Sequence, residues 1–125
     1  MIYLELEDIL ALSERAGFTV TDYGLVESAL VRPRASVFGE DAYPGIHEKA
    51  AALMQSVATN HALADGNKRS AWAATRLFYG LNGYRIAASH EKRFEFIIAV
   101  ATRQLDTVTT IAATLARIAS STSDQ

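Results

Sequence analysis

Apolar residues recur at helical spacing along most of this chain, and short stretches rich in glycine, proline or asparagine break the pattern into segments. The first segment carries Ile9, Leu12 and Ala16 on one face, acids ahead of it and Gly17 behind it, which predicts a helix over Glu7–Ala16. Phe18 to Val20 then read as a short extended link. Thr21 or Asp22 can cap a second helix, with Leu25, Ala29 and Leu30 on its buried side. Pro33 ends it, because the residue before a proline avoids the helical region. Ile46, Ala50, Leu53, Met54 and Val57 predict a strong helix from about Ile46 to Asn60, supported by its alanines. A further helix reads over Asn67–Leu81, with Ala71, Ala74, Phe78 and Leu81 as its inner stripe and Asn82–Gly83 as its stop. Trp72 lies beside that stripe and reads as packing. After a short extended link at Tyr84–Ile86, Ser89 caps a helix through Phe94, Ile97, Ile98 and Ala101 that ends near Leu105. Asp106 or Thr107 caps a last one carrying Val108, Ile111, Leu115 and Ile118. The polar tail at 120–125 is expected to fray.

Residues 33–45 break the helical rhythm. They hold both prolines of the chain, Pro33 and Pro44, together with Gly39 and Gly45 and the β-favouring Val37, Phe38 and Tyr43. They read as an exposed loop or a small hairpin turning at Gly39–Asp41, a kind of segment that often meets ligands. A plain connector is the competing reading. The whole is expected to be a single all-α domain over residues 1–125, with about six helices and one small β-hairpin.

Composition narrows the function classes. At 125 residues the chain can bury a core without staples, and 50% hydrophobic with 21% charged is ordinary for a soluble domain. A formal net charge of −2 argues against broad sequence-independent binding to nucleic acid, although Arg32, Arg34, Lys68, Arg69 and Arg76 could form a local basic patch. The absence of cysteine excludes disulfides and thiolate metal sites. The start MIYLELEDIL has no basic leader and no apolar run approaches a membrane span, so a cytoplasmic location and no membrane are expected.

The chemistry concentrates in residues 61–69, HALADGNKR. Histidine titrates near working pH, so His61 can act as a general base, although a buried structural histidine would also fit its helix face. Asp65 is either a turn residue or a ligand for Mg²⁺, which favours one or two carboxylates with phosphate oxygens and water. Gly66 supplies turn freedom. Asn67 either caps or donates to a phosphate. Lys68 and Arg69 place two cations at a helix start, against the macrodipole, and an anion bound there would remove that local cost. No P-loop, kinase signature set, zinc spacing or nucleophilic Ser or Cys arrangement is present.

HALADGNKR resembles the Fic/Doc signature, roughly H-x-F-x-[DN]-[AG]-N-[GK]-R. LEDILAL, LVESALVRPRA, YPGIHEKAAAL and LNGYRI also resemble the Doc-type (death-on-curing) branch, so the likeness spans about residues 2–105. The resemblance implies a compact helical fold with the motif in the loop between its two central helices. By position, His61 would deprotonate a target hydroxyl and Asp65 would bind Mg²⁺. Gly66 and Asn67 would line an anion hole, and Lys68 and Arg69 would contact the phosphates of ATP. Residues 33–45 would be the flap that aligns a target segment by strand addition, with Val37, Phe38 and Gly39 as its target-aligning residues.

In Fic-type enzymes the eighth motif position is glycine, and AMP passes from ATP to a protein side chain. Lys68 stands there instead, as in Doc-type toxins. The resemblance therefore implies a protein kinase that passes the γ-phosphate to a threonine of elongation factor Tu, arresting translation and growth. It further implies control by a Phd-like antitoxin, through which alone DNA would be contacted. Adenylyl transfer and a catalytically silent module acting through its antitoxin remain as alternatives. Leu63 replaces the usual aromatic, and Ala62 stands where proline or a bulkier residue is common. Ser36 to Glu40 has the first spacing of the family's inhibitory motif, but Asp41 follows and the segment reads as a loop, so the match is taken as coincidence.

Overall fold

The structure, a computed structural model, describes residues 1–60 and 66–122. Its described helices are α1 (Leu6–Ala16), α2 (Tyr23–Val31), α3 (Ile46–Thr59), α4 (Asn67–Leu81), α5 (His90–Ala101) and α6 (Val108–Ile118). A 3-10 turn over Arg32–Arg34 follows α2. Two small antiparallel pairs complete the fold: β1 (Ser36–Val37) with β2 (Glu40–Asp41), and β3 (Tyr84–Ile86) with β4 (Ala119–Ser121). The mostly helical expectation holds, and no described helix is long and apolar enough to cross a membrane.

Local chemistry sets most of the boundaries. Asp22 Oδ1 accepts the Leu25 N–H, Ser89 Oγ accepts that of Lys92, and Thr107 Oγ1 accepts that of Thr110, so three caps foreseen in the sequence start α2, α5 and α6. Gly17, at φ 77°, ends α1 in the left-handed region that glycine reaches most easily. α3 is the central element. Ala50, Ala51, Ala52, Leu53 and Met54 are all buried, so its middle is enclosed on every side, chiefly by α4 and α6. Alanines allow those neighbours to approach closely.

Five expectations need correction. Leu81, expected on the inner stripe of α4, is exposed at the last turn of that helix. Leu25 faces solvent and Val26 takes the buried position, because Val26 lies three and four positions ahead of the buried Ala29 and Leu30 and so shares a face with both. Phe94 is 61% exposed, and Phe96, Ile97 and Val100 face the core instead. α5 stops at Ala101, and Arg103 takes a positive φ before α6 begins. The tail, expected to fray from Ser120, is paired through Ser121, and Thr122 donates from both its N–H and its hydroxyl to the Gly83 carbonyl. A distant three-residue strand, β4, thus closes the sheet that the link at Tyr84–Ile86 begins.

Candidate functional site

The segment at 33–45 is a hairpin, with Ser36 opposite Asp41 and Val37 opposite Glu40. Its turn is Phe38–Gly39, tighter than the expected Gly39–Asp41. Both residues have positive φ, 51° and 82°, as the mirror-image turns that suit strand twist require. Phe38 is fully exposed at the tip and Val37 half-exposed.

The other candidate residues gather where α4 begins. Gly66 caps the helix at φ 91°, ψ 16°, and its carbonyl accepts the Ser70 N–H. Gly66, Asn67, Lys68 and Arg69 line one wall of a cavity of about 580 Å³. Helix N-terminal N–H groups and the macrodipole favour an anion at such a wall. The facing wall, which the sequence reading missed, comes from Trp72 on α4 and from His90, Arg93, Phe94, Ile97 and Ile98 on α5. Arg93 lies over the Trp72 ring at 5.4 Å, and its guanidinium is 3.3 Å from His90 Nδ1. The sequence signal for this wall was the spacing of His90 and Arg93, one helical turn apart beside an aromatic, on the turns after the Ser89 cap.

No carboxylate is among the described lining residues, while Lys68, Arg69 and Arg93 are cationic. The cavity therefore suits a ligand with an anionic part for the α4 end and a flat or apolar part for Trp72, Phe94 and the isoleucines. His61 and Asp65 lie outside the described residues. Val37, Phe38 and Gly39 are placed together at the hairpin tip and are not among the described residues of the cavity wall. The anticipated basic patch is divided. Arg32 turns inward, donating to the Ala52 carbonyl and Ser56 Oγ of α3, and Arg34 lies near Glu5 and over Tyr3.

The sequence pattern of the Fic/DOC family matches residues 3–79, and the chain belongs to that family, whose members are transferases that use nucleotide substrates. Its lining chemistry agrees with that class. The chain is also similar to the protein called Toxin Doc of Mycolicibacterium smegmatis, with 48% identity over 122 residues, covering 94% of this chain and 93% of that protein.

Proposed function

We propose that this chain is the toxin of a toxin–antitoxin pair, a protein kinase that passes the γ-phosphate of ATP to a threonine hydroxyl of elongation factor Tu and so stops translation in the cytoplasm. The observation that carries the reading is Lys68. It fills the motif position where AMP-transferring relatives have glycine, and it stands exposed on the first turn of α4, on the cavity wall. A bulky cation there disfavours an α-phosphate in the position that AMP transfer needs, while it stabilises charge on a phosphate bound differently. The similarity to Toxin Doc supports the toxin role, and with it a Phd-like antitoxin as inhibitor.

In this mechanism His61 takes the proton of the threonine hydroxyl. The threonine oxygen forms a bond to the γ-phosphorus as the bond to the β–γ bridging oxygen breaks, and ADP leaves. Such a transfer asks mainly for positioning and charge neutralisation. Gly66 and Asn67 offer backbone donors to the phosphates, and Lys68 and Arg69 offer cations. By its motif position Asp65 would be the protein ligand for Mg²⁺, which favours one or two carboxylates with phosphate oxygens and water. When bound, the ion would neutralise phosphate charge. The hairpin with Val37, Phe38 and Gly39 would hold the target segment.

The test is incubation with Mg²⁺ and purified elongation factor Tu, with ATP labelled at the α or the γ phosphate. Transfer from γ, abolished in a folded His61→Ala variant, is the expected result. Transfer from α would assign adenylylation instead. No transfer from either position would leave a module that acts through its antitoxin. Lys68→Gly is expected to lower γ transfer, and an unchanged rate in that variant would refute the role given to the lysine.

A further inference from the structure

Among the described residues, Lys49 is the charged residue that the fold hides, 2% exposed on the face of α3 that also carries Leu53. An ammonium out of water is unfavourable unless it is paired and hydrogen-bonded, and a methionine would pack there without that cost. What lysine adds is three donors on one flexible stem. Its Nζ donates to Asp41 Oδ2 on β2 at 3.1 Å and to the Pro33 carbonyl at 3.2 Å, in the turn that leads into β1. The same ammonium lies 5.6 Å from the centre of the Tyr3 ring. One buried atom thus touches β2 and the turn that leads into β1.

The hairpin needs such a tie. Each of its strands has two residues, all exposed, and a two-stranded ribbon of this size is marginal by itself. Arg32 secures the base, because its Nε donates to the Tyr43 hydroxyl while Nη1 donates into α3. Lys49 reaches further, to a residue within β2. We infer that Lys49 is the positioning residue of the hairpin, latching β2 and the turn before β1 to α3 and so fixing where a target segment is presented to the motif loop. This rests on the proposed reading of the hairpin as the target-aligning element.

The test uses the full chain with Asp41→Asn, Lys49→Met and Asp41→Glu. Asp41 is half-exposed, so its two variants are not expected to threaten folding, and the glutamate keeps the charge for a rescue. By hydrogen exchange, the Ala42 amide, which donates to the Ala35 carbonyl, should lose protection about tenfold in Asp41→Asn and Lys49→Met. Amides of α3 and α4 should keep theirs, and Asp41→Glu should behave as the unaltered chain. In the γ-phosphate assay the first two variants should raise KM for elongation factor Tu about tenfold, with kcat at saturation retained. Unchanged hairpin protection would overturn the latch. Loosened protection with unchanged KM would overturn its positioning role. Absence of transfer by the unaltered chain would be a failure of the proposed function and not of the latch, which the exchange measurement decides by itself.

Discussion

At Gly66 two constraints coincide. Its φ of 91° lies in the left-handed region, and a Cβ there would stand 3.0 Å from the Arg69 guanidinium and 3.2 Å from Phe18 Cβ. Gly66→Ala is therefore expected to cost about 1–3 kcal/mol of stability, read as a lower midpoint of thermal unfolding, and to displace Arg69 from the cavity wall. Nucleotide binding, followed by calorimetry, should weaken as well. Lys49 supplies a prediction in pH. Burial penalises its ammonium, but Tyr3 and Asp41 outweigh that penalty and hold its pKa above the ordinary lysine value of 10.5. The folded state then keeps a proton that the unfolded state releases, so the contribution is complete below pH 10.5 and is lost as pH rises through the folded value. Relative to Lys49→Met, the stability of the unaltered chain should be constant from neutral to mildly alkaline pH and should fall above that point. Burial, with Tyr84 adding to it, also raises the pKa of Tyr79, but that group is common to both proteins and cancels in the difference. Residue-level signals were legible when they were local. Asp22, Ser89 and Thr107 each cap a donor three positions on, whereas the burial of Lys49 depends on Pro33 and Asp41 in other segments.

Element by element, α3 and α4 were readable because their apolar stripes are long and their ends are marked by glycine or asparagine. α5 was readable in extent at its start but not in facing. Phe94, Ile97 and Ile98 fit one stripe, yet the core takes Phe96, Ile97 and Val100, leaving Phe94 to the cavity. An amphipathic pattern gives a face to within about one residue, and that margin hid half of the candidate site. α4 also carries a test of helix propensity. Gly80 is exposed in its last turn, and nothing lies within 4 Å of where a Cβ would stand. Gly80→Ala should stabilise the chain by about 0.5–1 kcal/mol, seen as a raised unfolding midpoint with nucleotide binding unchanged. The contrast with Gly66→Ala separates glycine needed for its conformation from glycine merely present.

Across the whole molecule, the helical class followed from periodicity, and the motif pointed to one wall of the cavity. The pairing of β3 with β4 did not follow. Ala-Ser-Ser has little β-preference, and its partner lies far back along the chain, so the sequence offers no local sign of the match. The same corner holds the other end of the chain. Asn82 Oδ1 accepts the Ile2 N–H at 2.7 Å, and Asn82 Nδ2 donates to the Ile2 carbonyl at 2.8 Å. Residues 2 and 122 are therefore fastened to the adjacent Asn82 and Gly83, at the end of α4 opposite the cavity. Fifteen helical residues put about 22 Å between the two ends of that helix. A circular permutant follows from this arrangement: a short linker joins residues 2 and 122, and the chain is reopened in the exposed α5–α6 connection. It is expected to unfold within a few degrees of the original and to retain its ligand affinity, since the order in which the segments are strung together is separable from the cavity wall that the start of α4 builds.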